Sequence, residues 1–163
     1  MQVVWFKRDL RVADHAPLAK AAKSGQCLCL YVYEPELIHS DEFDTSHLEF
    51  INESLRQLDL QLRKIGGKLT LRVGRMPDVL DELHRKHGIN ALWSHEETGN
   101  KLTYDRDRRV EHWVTQNGIS WHQIPQNGVV RRLRSRDGWS RQRDAFLEQP
   151  IAPMPTCVDH PSD

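Results

Sequence analysis

Three clusters of charged residues, each directly behind an apolar run, are where this chain can do chemistry. Lys7, Arg8, Asp9 and Arg11 follow Val3-Val4-Trp5-Phe6; Glu34 and Glu36 close the run that starts at Cys27; His95, Glu96 and Glu97 follow Leu92-Trp93-Ser94. Arginines orient the anionic or carbonyl edges of a ligand, and carboxylates accept hydrogen bonds from ring N–H groups or hydroxyls. Both charge signs together suit a polar heteroaromatic molecule better than a naked phosphate. The same residues could instead fasten loops, with Arg8, Asp9 and Arg11 pairing with Glu96 or with backbone carbonyls. Spacing alone favours neither use.

Absences narrow the chemistry. The sequence has no GxGxxG after its first apolar run, no GxxxxGK[ST] and no GxSxG, so the common dinucleotide, phosphate-loop and hydrolase signatures are missing. Nine histidines suggest metal, but no Cys/His spacing fits zinc. His84 and His87 read as part of a solvated helix face, and His39 and His47 bracket an acidic loop. No metal site is expected. Cys27, Cys29 and Cys157 read as small thiols in a reducing compartment.

The elements that must carry these clusters alternate along the chain. Continuous apolar runs of the kind buried parallel strands show fall at Gln2–Phe6, Cys27–Tyr33, Leu69–Val73, 89–94 and 119–124. Helical patterns fall between them. Residues 14–23 form the first, with Asp14 as cap and Pro17 in the first turn. Residues 45–65 form a long one, capped by Thr45 or Ser46, with Leu48, Ile51, Leu55, Leu58 and Leu62 on one face and Gly66-Gly67 as its stop. Met76–His87 and 102–116 are the others. In the last of these, Asp105 to Arg109 alternate in sign and read as solvent-facing i,i+4 pairs.

Strands separated by helices predict an α/β fold: a three-layer, Rossmann-like, doubly wound sheet of five parallel strands in order 3-2-1-4-5, with helices on both faces. In that order the first and fourth strands flank the point where the winding reverses, and their carboxyl ends frame a ligand crevice. Arg8, Asp9 and Glu96 are expected around that shared hollow.

The 163 residues hold 23 basic and 23 acidic side chains, so no global field draws the chain to nucleic acid or membrane. No apolar run approaches the roughly 20 residues of a membrane helix, and no leader precedes the first strand, which points to the cytoplasm. The α/β domain is expected over residues 1–130. Residues 131–163 form a basic segment and a proline-rich linker. Within them, residues 128–130 could add a short strand and residues 145–147 close a short helix. Arg131, Arg132, Arg134, Arg136, Arg141 and Arg143, interleaved with Trp139, fit an adjacent acidic domain better than nucleic-acid phosphates.

The run Val4-Trp5-Phe6-Lys7-Arg8-Asp9-Leu10-Arg11, followed by Asp14-His15 and Leu18, resembles the N-terminal signature of the DNA photolyase/cryptochrome family. Tyr31-Val32-Tyr33-Glu34-Pro35 is similar to that family's second strand, Tyr104-Asp105-Arg106-Asp107 with Val110 to its fourth helix, and Gln126 to Val130 to the exit from its last strand. The likeness covers about residues 1–150, and its first motif is the specific one.

The resemblance implies a division of labour. Such an α/β domain precedes a larger helical domain that holds FAD and, in photolyases, the damaged DNA. The full-length protein would be a deoxyribodipyrimidine photolyase-type lyase or a cryptochrome, and residues 1–163 alone would carry no catalytic residue. The α/β domain can hold a light-harvesting antenna: a folate, an 8-hydroxy-deazaflavin or FMN. The residues expected to line that site are Arg8, Asp9, Arg11, Glu34, His95, Glu96 and Glu97; Leu48 and Phe50 could wall it, although core packing suits each of them better. Partners would be the FAD domain of the same polypeptide, DNA only through the full-length protein, and no membrane. The stretch His95 to Asn100 is longer than the corresponding loop in many relatives and lacks their aromatic–proline pair. A nucleotide-binding module and a purely structural docking domain are the alternatives.

Overall fold

The computed structural model describes residues 1–131 and 135–161. Five parallel strands form one sheet: β1 (Gln2–Phe6), β2 (Cys27–Tyr33), β3 (Leu69–Val73), β4 (Ala91–His95) and β5 (Ser120–Ile124), in the order β3-β2-β1-β4-β5. This is the doubly wound arrangement the alternation predicts. β1 is central, with Val4 opposite Cys29 on one side and Trp93 on the other. It is buried over its whole length, which is why it carries no polar alternation.

The period of two in β1 divides the core. Val3 and Trp5 face α4 (Met76–His87) and α5 (Lys101–Gln116), meeting Met76, Leu80, Leu83, Val110 and Trp113. Val4 and Phe6 face α1 (Ala16–Lys23) and α3 (Thr45–Lys64), meeting Leu18, Ala21, Leu55, Leu58 and Leu62. A short helix, α2 (Pro35–Ile38), turns the chain off β2, with Glu34 at its N-cap. The sequence pattern missed it because one turn shows no period.

The helix caps differ from expectation. His15, not Asp14, caps α1: its Nδ1 accepts the N–H of Leu18 at 3.1 Å. Asp14 sits at φ 49, in the left-handed region that Asp tolerates, and its carboxylate accepts the N–H of Ala152. Asp44, not Thr45 or Ser46, caps α3 in a capping box whose return bond runs from the Asp44 N–H to His47 Nδ1.

Residues 128–130 form no strand, and α6 (Trp139–Leu147) begins earlier than the expected helix. Arg132 and Arg134 lie outside the described residues. The proline-rich tail has a linker's composition yet packs against the domain. Val158 is 1% exposed in the α1/α3 core, its N–H donates to Ile65 O, and Asp159 O accepts the N–H of Cys27. Among the described residues no helix is long and apolar enough to cross a membrane.

Candidate functional site

Beyond the carboxyl ends of β1 and β2 the chain encloses a cavity of about 500 Å³. Tyr31, Tyr33 and Glu34 come from the end of β2, Trp5 to Arg8 from the end of β1, and Glu97 to Arg106 from the approach to α5. The α2–α3 loop and the first turns of α3 close the remaining side with Phe43, Leu48, Phe50 and Ile51. Its walls are mostly apolar or aromatic, with charge concentrated on one side. Phe50 lines the cavity and is 71% exposed, so the core packing expected of it is not what the chain adopts.

That charged side is a buried network centred on Arg106. Its Nη1 donates to Glu34 Oε1 at 3.1 Å, its Nη2 to Glu97 Oε2 at 2.7 Å, and its Nε to Asp107 Oδ1 at 3.0 Å. The guanidinium lies 4.7 Å from the Trp5 ring centroid, where Lys7 Nζ also sits at 4.4 Å, so both cations use the indole face. Lys7 Nζ donates to Asp107 Oδ2 at 2.9 Å and to the carbonyl of His95. Glu97 Oε1 accepts the N–H groups of Thr98 and Gly99. A Cβ at Gly99 would stand 2.7 Å from Arg8 Nη2 and from Thr103 Oγ1, so this turn has no room for a side chain.

Burial lowers the proton affinity of Lys7, opposed by Asp107. It also works against the charge on Glu97, but Lys7 and Arg106 outweigh it and hold that carboxyl below its ordinary value. Glu34 goes the other way. Burial raises it from 4.5 to about 6, and Arg106 only partly opposes this. Among the described residues nothing donates to Glu34 Oε2, although the side chain is 3% exposed and lines the cavity. Glu34 thus lines the cavity with one oxygen held by Arg106 and the other without a donor.

A folded-state value above the unfolded one means the folded chain binds more protons between about pH 4.5 and 6. The contribution of Glu34 to stability is therefore full below that window and lost as pH rises through it. Carbon-13 NMR of the Glu34 carboxyl is expected to titrate with a midpoint near 6, and in Arg106→Lys near or above that. A midpoint near 4.5 would show that the carboxylate is hydrated.

A second buried cluster lies beneath the strand ends. Asp9 Oδ2 is hydrogen-bonded to His95 Nδ1 and lies 2.8 Å from His15 Nε2, while Asp9 Oδ1 accepts the N–H of Lys7 at 2.8 Å. Burial opposes the charge on Asp9, but the two imidazoles hold its carboxyl well below the carboxylate range. Burial lowers His15 despite Asp9. The three side chains have the donor set of a metal site. Their protons argue for a fastener instead. His15 Nδ1 accepts a backbone N–H, so Nε2 carries the ring proton, 2.8 Å from Asp9 Oδ2 though outside hydrogen-bond geometry. A cation there would require an imidazolate.

The structure divides the seven sequence candidates. Arg8, Glu34 and Glu97 line the cavity. Asp9 and His95 join His15 in the buried cluster. Arg11 turns back to donate to Asp14 O, and the backbone N–H of Glu96 donates to Ile124 O; neither side chain lines the cavity. Arg8, Asp9 and Glu96 therefore do not share a hollow, because Asp9 is drawn under the strand ends by two imidazoles. Sequence reasoning misplaced Arg106 and Asp107, both 4% exposed, by reading them as solvated. A signal was present: buried Thr103, Arg106, Asp107, Val110, Trp113 and Val114 fall at i, i+3, i+4, i+7, i+10 and i+11, the inward stripe of the helix.

The DNA photolyase family model matches residues 2–140. A cryptochrome DASH from Synechocystis sp. is 29% identical over 117 residues, which span 64% of this chain and 23% of that protein. The solved structure of a Synechocystis cryptochrome superposes with TM-score 0.81 at 21% identity, covering 97% of this chain and 36% of that one. An archaeal photolyase from Sulfolobus tokodaii, solved with two FAD molecules that are described as implying a novel light-harvesting cofactor, superposes with TM-score 0.78 at 20% identity, covering 99% of this chain and 39% of that one. The chain thus spans about a quarter to two fifths of these proteins.

Proposed function

Because this chain belongs to the DNA photolyase family, we propose that its cavity holds the antenna chromophore of a blue-light flavoprotein of the photolyase or cryptochrome type. The observation that carries this reading is the buried Glu34 side chain, held through one oxygen by Arg106, on the charged side of a cavity whose remaining walls are largely aromatic and aliphatic. Such a site takes a flat heteroaromatic ring by its faces and one N–H edge by the carboxylate. Arg8, exposed at the rim, meets a phosphate or carboxylate on the ring's substituent. The ring thus enters donor edge first with its anionic tail outward. Folate, 8-hydroxy-deazaflavin and FMN all meet that description.

When bound, the chromophore would absorb light and pass the energy through space to FAD. The protein's part is to hold it still. Arg106 does this indirectly, by locking Glu34 and Glu97 in one geometry across β2 and the start of α5. The FAD and any DNA belong to a C-terminal helical domain of the same polypeptide, which residues 131–163 lead toward, in a protein of the cytoplasm. Light-driven splitting of pyrimidine dimers, or photoreception, is the activity of that whole.

The test is fluorescence titration of the 163-residue chain with a folate, an 8-hydroxy-deazaflavin and FMN. One of them is expected to bind, and Glu34→Ala should weaken it about tenfold, the loss of a hydrogen bond to a charged acceptor. No response to any of the three would make this a docking domain. Thermal protection by ATP or NAD instead would make it a nucleotide module.

A further inference from the structure

Two distant parts of the chain line the cavity and meet where Glu42 is exposed to solvent. One side is loop 39–44, which contributes Ser40, Glu42 and Phe43; the other is the start of α5, with Asn100, Leu102 and Thr103. The loop is braced internally and to the helices on either side of it. Ser40 N–H donates to Leu37 O, Phe43 N–H to Ser40 O, and Asp44 N–H to His47 Nδ1. α2 is anchored separately, by Glu36 pairing with Arg109. Among the described residues one hydrogen bond joins loop 39–44 to the start of α5, between two residues that both line the cavity: Asn100 Nδ2 donates to Glu42 Oε2.

We infer that Glu42 and Asn100 form a latch that governs passage into and out of the cavity. The two ends of the Asn100 amide do different work. Its Oδ1 accepts the N–H of Thr103 at 3.0 Å and caps α5, so the side chain is held to a rigid helix. Its Nδ2 holds the loop. Glu42 is exposed, and a solvent-exposed hydrogen bond contributes weakly, which suits a contact that opens often. The buried network fixes the ligand's orientation; the latch sets how fast it comes and goes. This role rests on the cavity being a binding site, but opening of this contact can be measured with no ligand present.

Ile51 lines the cavity. An Ile51→Cys variant in a Cys157→Ser background leaves a single cavity thiol, since Cys27 and Cys29 are buried. Its labelling rate with a maleimide reports opening. Asn100→Asp keeps a capping oxygen but sets a carboxylate against Glu42, and labelling is expected to accelerate roughly threefold to tenfold. Adding Glu42→Gln restores a donor–acceptor pair in the reverse direction and should return the rate to near that of the parent. Glu42→Ala, which leaves the cap of α5 untouched, should also accelerate labelling. With FMN as probe, association and dissociation should both quicken in Asn100→Asp. Unchanged labelling in both single variants, or no rescue by Glu42→Gln, overturns the latch. Correct labelling behaviour with no chromophore bound by the parent chain upholds the latch and overturns the binding proposal alone.

Discussion

Replacing Arg106 with Met is expected to destabilise the fold by about 3–5 kcal/mol, the cost of removing one partner from a buried charge network. For a chain of this size that lowers Tm by roughly 6–20 °C. The cause is electrostatic. Arg106 holds three carboxylates, Glu34, Glu97 and Asp107, at side-chain exposures of 3%, 7% and 4%. Without it, Lys7, which already pairs with Asp107, and Arg8 near Glu97 are left against three buried carboxyls. Arg106→Lys keeps the charge but not the fork that reaches three acceptors, so it should fall between Met and the parent. Adding Glu34→Gln to Arg106→Met removes one stranded charge and should recover part of the loss. Thermal unfolding by circular dichroism checks all four. Equal Tm values for Arg106→Met and the parent would mean the network is hydrated and contributes little.

Asp9→Asn is expected to cost about 3 kcal/mol, because a carboxylate that serves several N–H groups becomes an amide that cannot accept from all of them. The pH dependence carries the sign. The folded-state value of Asp9 lies below the unfolded one, so the unfolded chain binds more protons between them and stability rises with pH there. Its contribution is full above about pH 4, the ordinary carboxylate value, and is lost as pH falls toward the folded value. His15, lowered by burial, adds a loss of the same sign as pH falls below about 6.5. The parent should therefore lose stability steeply under acid, and Asp9→Asn should flatten the part of that slope below about pH 4. Urea unfolding at a series of pH values measures this; parallel slopes would contradict it.

The fold was legible because a parallel sheet covered on both faces makes its strands continuously apolar, as in Cys27–Tyr33. Alternation with helices then implied the strand order. The candidate site was only half legible. Polar residues at strand ends marked the edge of the sheet where the cavity lies, but strand spacing does not say which way a side chain turns after the strand stops. Asp9 turned inward to His15 and His95, and Arg11 folded back on Asp14. Arg106 and Asp107 were hidden by a sound prior, that alternating charges on a helix are solvated. The buried positions they share with Val110 and Trp113 decided otherwise. His15 was invisible as a site residue because its role needs both ring nitrogens, one for α1 and one for Asp9.

The cavity itself depends on loop 39–44 folding against α5, a contact between residues 58 apart in sequence. No local pattern encodes it.

The central claim is that a chromophore sits at the carboxyl ends of β1 and β2 with its donor edge on Glu34. Amide-shift mapping of the isotopically labelled chain, with each of the three chromophores added in turn, tests it most directly. The predicted result is that one chromophore shifts resonances of cavity residues such as Tyr33, Glu34, Phe43, Leu48, Gly99 and Arg106 and leaves α6 and the tail unmoved. Shifts confined to residues away from these strand ends, or none with any chromophore, would contradict it.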